Sequence, residues 1–206
     1  MSNIVGFPAQ CFLCEPDERL VFARKGPFFA MLGLGPLGEG YSLIATRDHV
    51  PSMLDLDAAG TDELTRFTRR VRSILGARGY PPAVLTEHGR VAACVHAVTA
   101  AHEPHCLHAH RLLFPGASVV NLRLIANGVE SYRDFRTARG AFDWPGQYLY
   151  SEAPDESCSI APAPRRLPRQ LLRRVVAQSL GMEFAADWRT QPGLEVVEAG
   201  RRRLAG

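Results

Sequence analysis

The sequence predicts an α+β fold in which an antiparallel sheet of about five strands carries a histidine-rich strand. Short apolar and β-branched runs separated by glycine-containing turns are typical of antiparallel strands. One long amphipathic segment follows the first strands and predicts a helix packed on one face of the sheet. A second amphipathic segment near the C-terminus predicts a helical extension.

The strands are predicted from apolar runs that end at turn residues. Residues 20–32 predict a hairpin with a turn at Lys25-Gly26, and Asn127-Gly128 predicts a second hairpin turn. The glycine-rich segment 33–40 is predicted to be a loop. It does not match a phosphate-binding loop, because it lacks Gly-Lys-Ser/Thr and leads into a strand. Further strands are predicted at residues 41–45, 83–86, 105–115, 119–126 and 147–150.

The two helices are predicted from apolar residues that recur every three or four positions. Thr61, followed by two acids, is expected to cap the first helix, which runs to about Gly79. The second covers residues 169–180 and is expected to end at Gly181. Residues 91–101, rich in Ala and Val, are compatible with a short helix, and the chain is expected to end in a basic tail.

The composition indicates a globular protein with a core of ordinary size, since 46% of the 206 residues are apolar and 22% are charged. The net charge of +3 is mild, and its basic residues suit helix faces and a solvated tail better than a nucleic-acid interface. No apolar run approaches the ~20 residues that cross a bilayer, and the first residues lack the pattern of a signal peptide. We therefore expect a cytoplasmic protein with neither a nucleic-acid nor a membrane partner.

Histidine is concentrated in one stretch of the chain. Five of the seven histidines lie between His96 and His110. His108 and His110 alternate, so on a strand both imidazoles point to the same face. Neutral imidazole is widely used for metal ligation and for group transfer near neutral pH. This stretch is therefore the first candidate for a functional site.

Cys11 and Cys14 have Cys-x-x-Cys spacing near the start of the chain. The total of five cysteines is odd, which favours metal or redox use in a reducing cytosol over a disulfide framework. A thioredoxin-like site is disfavoured, because Glu15-Pro16-Asp17 follows where such a site begins a helix. Free thiols are the alternative for this pair, and the other three cysteines are expected to be small buried hydrophobes.

Several short motifs follow one another along the chain. They are Cys11-x-x-Cys14, Gly40-Tyr41-Ser42-Leu43-Ile44 with His49-Val50-Pro51-Ser52, Glu87-His88-Gly89, His108-Ala109-His110 closing on Pro115, Gln147-Tyr148-Leu149-Tyr150, Gln170-x-x-Arg173 and Asp187-Trp188-Arg189. This order resembles the histidine-triad superfamily of nucleotide hydrolases and nucleotidyl transferases. The resemblance implies a histidine-triad-like core over residues 1–126 with an N-terminal zinc-ligand segment, a C-terminal extension over residues 127–206 packed on that core, and a homodimer.

The resemblance also implies a covalent mechanism and a zinc site. His110 would be the nucleophile that attacks phosphorus and forms a nucleotidyl-histidine, with a nucleotide or a nucleotidylated small molecule as substrate. A structural Zn²⁺ would occupy a closed tetrahedral site and tether the N-terminus to the histidine strand. Its ligands would be Cys11, Cys14, His49 and His108.

Two positions depart from the family pattern. The third triad position is Leu112, which offers no hydrogen-bonding group to a phosphate oxygen. Gly33 stands in the loop where many members carry an aspartate for the ribose hydroxyls. Both departures leave two alternatives open: a catalytically impaired protein that binds a nucleotide or another ligand, and a repurposed enzyme that acts on a phosphorylated pathway intermediate.

Four further residues are candidates for substrate binding, each with a structural alternative. His88 is expected at the mouth of the pocket, or in a structural turn. His105 would replace the missing third imidazole, or lie in a loop. Gln170 and Arg173 share a helix face and would reach a phosphate, or make surface contacts.

Overall fold

The computed structural model describes residues 12–91, 108–165, 167–168 and 170–206. The strands in this part of the chain are β1 Val21–Lys25, β2 Phe28–Leu32, β3 Ser42–Thr46, β4 Ala83–Gly89, β5 His110–Pro115, β6 Glu130–Tyr132, β7 Tyr148–Glu152 and β8 Cys158–Pro162. The helices are α1 Ala58–Ala77, α2 Phe135–Ala141, α3 Leu171–Ser179 and α4 Leu194–Ala205, with short 3₁₀ helices at Met53–Asp55, Leu122–Leu124 and Glu183–Ala185.

The predicted α+β class and the antiparallel pairing are confirmed. The described strands form one sheet in the order β1-β2-β3-β5-β4-β7-β8-β6, and α1 is the predicted long helix. This sheet has eight strands, more than the five expected, because β7 pairs with β4 and the sheet continues through β8 to β6. Strands from before and after residue 126 therefore belong to the same sheet.

Both faces of the sheet are covered. On one face, α1 packs Leu64 and Phe67 into the core, and the Phe67 ring stacks on Phe28 with centroids 6.0 Å apart. On the other face, α3 contributes Leu172 and Val176. Strands β2, β3 and β7 are buried along their whole length, as expected for strands covered on both sides. Each fully buried Val, Leu, Ile, Phe or Met side chain contributes about 1.5–3 kcal/mol to the free energy of folding.

Three local predictions are wrong, each for an identifiable reason. Helix α1 begins before Thr61, because Asp57 caps it by accepting from the Gly60 N–H at 2.7 Å. Residues 119–126 do not form a strand, because the Asn121 side chain accepts from the main-chain N–H two residues on, and such local bonds compete with strand pairing. The predicted basic tail is helix α4. Its residues are mostly polar and only two of them are buried, so the sequence shows little helical periodicity.

Other local predictions are confirmed. Residues 33–40 form a loop, and α3 ends just before Gly181, which adopts the left-handed conformation with φ 66°. The short helix considered for residues 91–101 lies, apart from residue 91, outside the described part of the chain. Among the described residues, no helix combines the length and the apolarity that crossing a membrane requires.

Candidate functional site

The sheet topology brings the end of β3 next to the start of β5. These strands are antiparallel neighbours, with Ala45 opposite His110. His49 follows β3 and His108 precedes β5, and their ring centroids lie 4.8 Å apart. Cys14 reaches the same point from the N-terminal segment, with its Sγ 3.4 Å from His49 Nδ1 and 3.5 Å from His108 Nδ1. We call these three residues the metal cluster; their ligand atoms all lie within 4.8 Å of one another.

The spacing in the metal cluster suits a tetrahedral ion. With Zn–S near 2.3 Å and Zn–N near 2.0 Å, a tetrahedral angle separates sulfur and nitrogen by about 3.5 Å. Both S···N distances, 3.4 and 3.5 Å, agree with that separation. The fourth predicted ligand, Cys11, and the predicted substrate-binding residue His105 lie outside the described residues. The fold therefore brings together three of the four predicted ligands, and a thiolate with imidazoles is a donor set that suits zinc.

His108 is held in a form that can bind a cation. Its ring is buried, and Nε2 donates to the Thr46 carbonyl at 2.6 Å. A carbonyl only accepts, so the proton is assigned to Nε2, and the lone pair of Nδ1 faces Cys14. Burial lowers the pKa of His108, which favours the neutral ring that a metal requires. Burial and the neighbouring Glu15 raise the pKa of Cys14, so a bound cation would be needed to keep this thiol ionised at neutral pH.

His110 is the first residue of β5 and is half-buried. Its Nδ1 donates to the carbonyl of His108 at 2.9 Å, which leaves the lone pair on Nε2. Burial lowers the pKa of His110, while its hydrogen bond to His108 and the Glu87 carboxylate oppose that effect. The imidazole is therefore neutral near pH 7, which is the form in which its nitrogen acts as a nucleophile.

His88 lies on β4 and shares a face of the sheet with His110. The register pairs Thr86 with Leu112, so two residues further along β4 it places His88 opposite His110. The Nε2 atom of His88 is 3.1 Å from Gln147 Oε1, which assigns its proton to Nε2, and burial lowers the pKa of this imidazole. Gln147, directly before β7, was not predicted as a site residue, because its contact with β4 depends on a strand pairing across 59 residues.

The two departures from the family pattern have defined surroundings. Leu112 lies two residues beyond His110 on the same face, half-buried against the apolar cluster that includes α3. Gly33 is enclosed, since a Cβ there would come within 2.3 Å of the Tyr41 ring and 2.5 Å of the Leu43 side chain. An aspartate at position 33 therefore does not fit unless these neighbours move.

Arg173 and Gln170 connect α3 to other segments of the chain. The Arg173 guanidinium is buried and donates to three main-chain carbonyls, while the Gln170 amide donates to Asp187 at 3.0 Å. The surface contacts considered as the alternative are wrong for Arg173, which is buried, and the substrate contacts of both residues stay predictions. The carbonyls that accept from Arg173 are those of Gly35, Ala185 and Ala186.

Solved structures similar to part of this chain include several histidine-triad proteins. A hypothetical histidine triad nucleotide-binding protein from Sulfolobus tokodaii is 17% identical over 51% of this chain and 68% of its own, with a TM-score of 0.38. A Hit-like protein involved in cell-cycle regulation from Bartonella henselae is 13% identical over 47% and 65%, with a TM-score of 0.35. The NitFhit protein of C. elegans is 18% identical over 47% and 22%, with a TM-score of 0.37. No family model and no curated protein matches the chain.

The similar region covers about half of this chain and, in the NitFhit protein, 22% of that protein's length. Because the identities do not exceed 18% and the TM-scores do not exceed 0.38, nothing about activity, ligands or assembly is transferred from these proteins to this chain.

Proposed function

We propose that this chain is a histidine-triad-like enzyme that hydrolyses or transfers a nucleoside phosphate through a covalent nucleotidyl-histidine at His110. The observation that carries the proposal is the neutral His110 imidazole, whose Nδ1–H is bonded to the His108 carbonyl, so that Nε2 keeps its lone pair. The substrate would be a nucleotide or a nucleotidylated small molecule.

The chemistry proceeds in two displacements at phosphorus. His110 Nε2 attacks, the N–P bond forms, and the leaving oxygen departs with the electron pair of the P–O bond. The ring becomes cationic, and its Nδ1–H bond to the His108 carbonyl, 2.9 Å long, stabilises that charge. Water or an acceptor hydroxyl then attacks the same phosphorus and loses its proton, and the N–P electron pair returns to His110. The lowered pKa supports this scheme, because the first displacement needs a neutral ring.

A structural zinc ion at the metal cluster completes the proposal, with Cys11, Cys14, His49 and His108 as ligands. Bound there, the ion would supply a cross-link between the N-terminal segment, the end of β3 and the start of β5. His108 would then serve two purposes, because its ring Nδ1 faces Cys14 while its carbonyl orients His110. The ligand set thus fixes the main chain that holds the nucleophile.

The covalent step is tested by the intact mass of the protein after mixing with dinucleoside polyphosphates, nucleotide sugars and nucleoside phosphoramidates. With at least one of them we expect a mass increase of one nucleotidyl group, and none for His110→Ala. His88→Asn is the matched control, because it removes an imidazole from the same face and leaves the attacking nitrogen in place. An adduct that persists in His110→Ala, or that is lost only in His88→Asn, would contradict the assignment.

Native mass measurement on the same sample tests the metal. We expect one Zn²⁺ per chain in the unmodified protein and its loss in Cys14→Ser. Full zinc content in Cys14→Ser would contradict the ligand set without bearing on the adduct.

Leu112 favours a second candidate, a nucleotide-binding protein without turnover. An apolar side chain beside His110 gives no donor to the phosphoryl oxygens, and the loss of one such donor costs ~10²–10³ in rate. Binding of adenosine or guanosine monophosphate without an adduct would favour this candidate. Inactivity and absence of binding with every nucleotide would favour a repurposed enzyme for a phosphorylated intermediate. The homodimer and the cytoplasmic location stay predictions.

A further inference from the structure

A buried carboxylate lies on the far side of the sheet, directly behind the two imidazoles. Glu87 precedes His88 on β4 and Arg111 follows His110 on β5, so both point to the face opposite the imidazoles. Their side chains are each 1% exposed, and Glu87 Oε2 accepts from Arg111 Nε at 3.0 Å. A buried carboxylate of this kind needs several hydrogen bonds to remain ionised.

The other carboxylate oxygen of Glu87 accepts two more hydrogen bonds. One comes from the main-chain N–H of Met53 at 2.9 Å, and the other from the Tyr148 hydroxyl. Burial raises the pKa of Tyr148 well above its ordinary value, so the hydroxyl keeps its proton and remains a donor. Together with Arg111, these donors come from three segments that lie 24, 34 and 61 residues from Glu87 in sequence.

Each of these donors adjoins a part of the candidate site. Arg111 is the residue after His110, and Tyr148 is the residue after Gln147, which pairs with His88. The third donor opens the short helix that follows the loop of the metal cluster. The Glu87 carboxylate therefore bonds, on the face opposite the imidazoles, to three segments. They are β5, which carries His110; β7, which follows Gln147, the partner of His88; and the short helix after the loop of the metal cluster.

We propose that Glu87 is a positioning residue, which sets the place of His110 relative to His88 and to the metal cluster. Main-chain hydrogen bonds already join β4, β5 and β7 and tie the carbonyls of Val50 and Pro51 to the ends of β5 and β4, and Glu87 adds a side-chain bond to the Met53 N–H. A misplacement of about 1 Å at a reacting group costs ~10²-fold in rate, so Glu87 acts on N–P bond formation more than on substrate binding. The rate measurement rests on the proposed function.

The need for a counter-ion to Arg111 does not by itself explain why a carboxylate stands at position 87. The Arg111 guanidinium also lies over the Phe135 ring, 3.8 Å from its centroid, and over the Tyr150 ring at 4.7 Å. Its Nη1 is 3.8 Å from a second carboxylate, that of Glu152. The two hydrogen bonds on the other oxygen of Glu87 go instead to the segments beside the site.

The test compares Glu87→Gln with Glu152→Gln, a matched change at another buried carboxylate of the same network. We expect Glu87→Gln to form the nucleotidyl adduct about 100-fold more slowly in single turnover, with a dissociation constant for the substrate within about threefold of the unmodified protein. Glu152→Gln is expected to stay within about threefold in both quantities. Equal losses of rate in the two variants would overturn the proposal.

A double variant keeps the test decisive if Glu87→Gln fails to fold. Glu87→Gln with Arg111→Met removes both charges of the buried pair, while Glu152 keeps its ion pair with Arg72 at 2.8 Å, and such replacements are tolerated far better than the loss of one partner. This protein is expected to fold and still to react about 100-fold slowly, because the Met53 and Tyr148 donors have lost their charged acceptor. A double variant that reacts at the unmodified rate would overturn the positioning role.

A second readout needs no substrate. Long-range ¹H–¹⁵N spectra report which nitrogen of each imidazole carries the proton, and we expect Nδ1–H for His110 and Nε2–H for His88. In Glu87→Gln these signals are expected to become mixed or broadened, while Glu152→Gln keeps the original pattern. Unchanged signals in Glu87→Gln would overturn the positioning role, whereas an unmodified protein that forms no adduct would overturn only the proposed function.

Discussion

The two faces of β4 and β5 carry polar groups that differ in charge and in burial. On one face His88 and His110 are half-buried and neutral, and in each ring one nitrogen is occupied by a hydrogen bond. On the other face Glu87 and Arg111 are buried, charged and bonded to several partners. Successive side chains of a strand point to opposite faces, so residues adjacent in sequence take different roles here. The imidazoles lie on one face, and the ion pair behind them lies on the other.

Arg111 keeps its positive charge on the buried face. Burial opposes the charge of Arg111, but the neighbouring Tyr150 and the carboxylates of Glu87 and Glu152 raise its pKa above the ordinary value. The imidazoles on the opposite face respond in the other direction, because burial lowers the pKa of both. The same low-dielectric interior therefore keeps Arg111 ionised through pairing and the two imidazoles neutral.

The largest expected effect comes from breaking the buried face. Arg111→Ala leaves the buried Glu87 without its ion-pair partner, while Glu152 keeps Arg72 at 2.8 Å, and is expected to lower the free energy of unfolding by about 3–5 kcal/mol. Urea unfolding measures this loss. Arg24→Ala is the control, because this exposed arginine pairs with Glu18 at the surface and lies 5.5 Å from the centroid of the Phe29 ring, so its loss should cost about 1 kcal/mol. Similar losses in both variants would show that burial does not distinguish the two pairs.

A smaller effect is expected from restoring a donor on the reactive face. Leu112→His places an imidazole two residues beyond His110 and is expected to raise the rate of adduct formation about 10–100-fold. Leu112→Met keeps the apolar volume and should leave that rate within about twofold. Single-turnover mass measurement follows both variants. No gain in Leu112→His would mean that this position lies too far from the phosphoryl oxygens to help.

The smallest effect is a change in the pH dependence of stability. Burial lowers the pKa of His88 in the folded state, while in the unfolded chain it is about 6.5, so the folded state binds fewer protons. The stability due to this neutral ring is fully present above about pH 6.5 and is lost as the pH falls below that value. Unfolding free energies for His88→Gln should therefore decline less steeply between about pH 7 and pH 5. Identical slopes would contradict the lowered pKa.

The sequence predicts the elements that depend on residues close together in the chain. The apolar spacing of α1 and the glycine after α3 were sufficient to place both helices, because each depends on residues a few positions apart. Helix α4 was missed because only Val197 and Gly200 of it are buried, and its arginines resemble a solvated tail. Strands β6 and β8 were not predicted, since β6 has only three residues and the two strands pair only with each other and with β7.

The residues of the candidate site also fall into those that the sequence predicts and those that only the fold brings together. The metal cluster was predicted from the order of motifs, since spacing alone gives no reason for Cys14 to meet residues 35 and 94 positions away. Glu87 was not predicted as a site residue, because a charged residue in a strand usually faces solvent, and its partner Arg111 is apparent only once the strand order is known. The shared helix face predicted for Gln170 and Arg173 is wrong, because Gln170 precedes α3 in a left-handed conformation, and the contacts of both residues depend on distant segments.

The enclosure of Gly33 constrains the order in which this chain can evolve. The Tyr41 ring fills the space that a side chain at 33 would need, and it also lies 5.0 Å from the Phe114 ring and 5.2 Å from the Arg173 guanidinium. An acid at 33 therefore requires the Tyr41 ring and the Leu43 side chain to shift or to be replaced by smaller ones, and a smaller residue at 41 would lose the contacts with Phe114 and Arg173. A change from Gly33 to an acid is therefore expected to need a compensating substitution at position 41 or 43, so two changes rather than one separate this chain from a form with an acid in this loop.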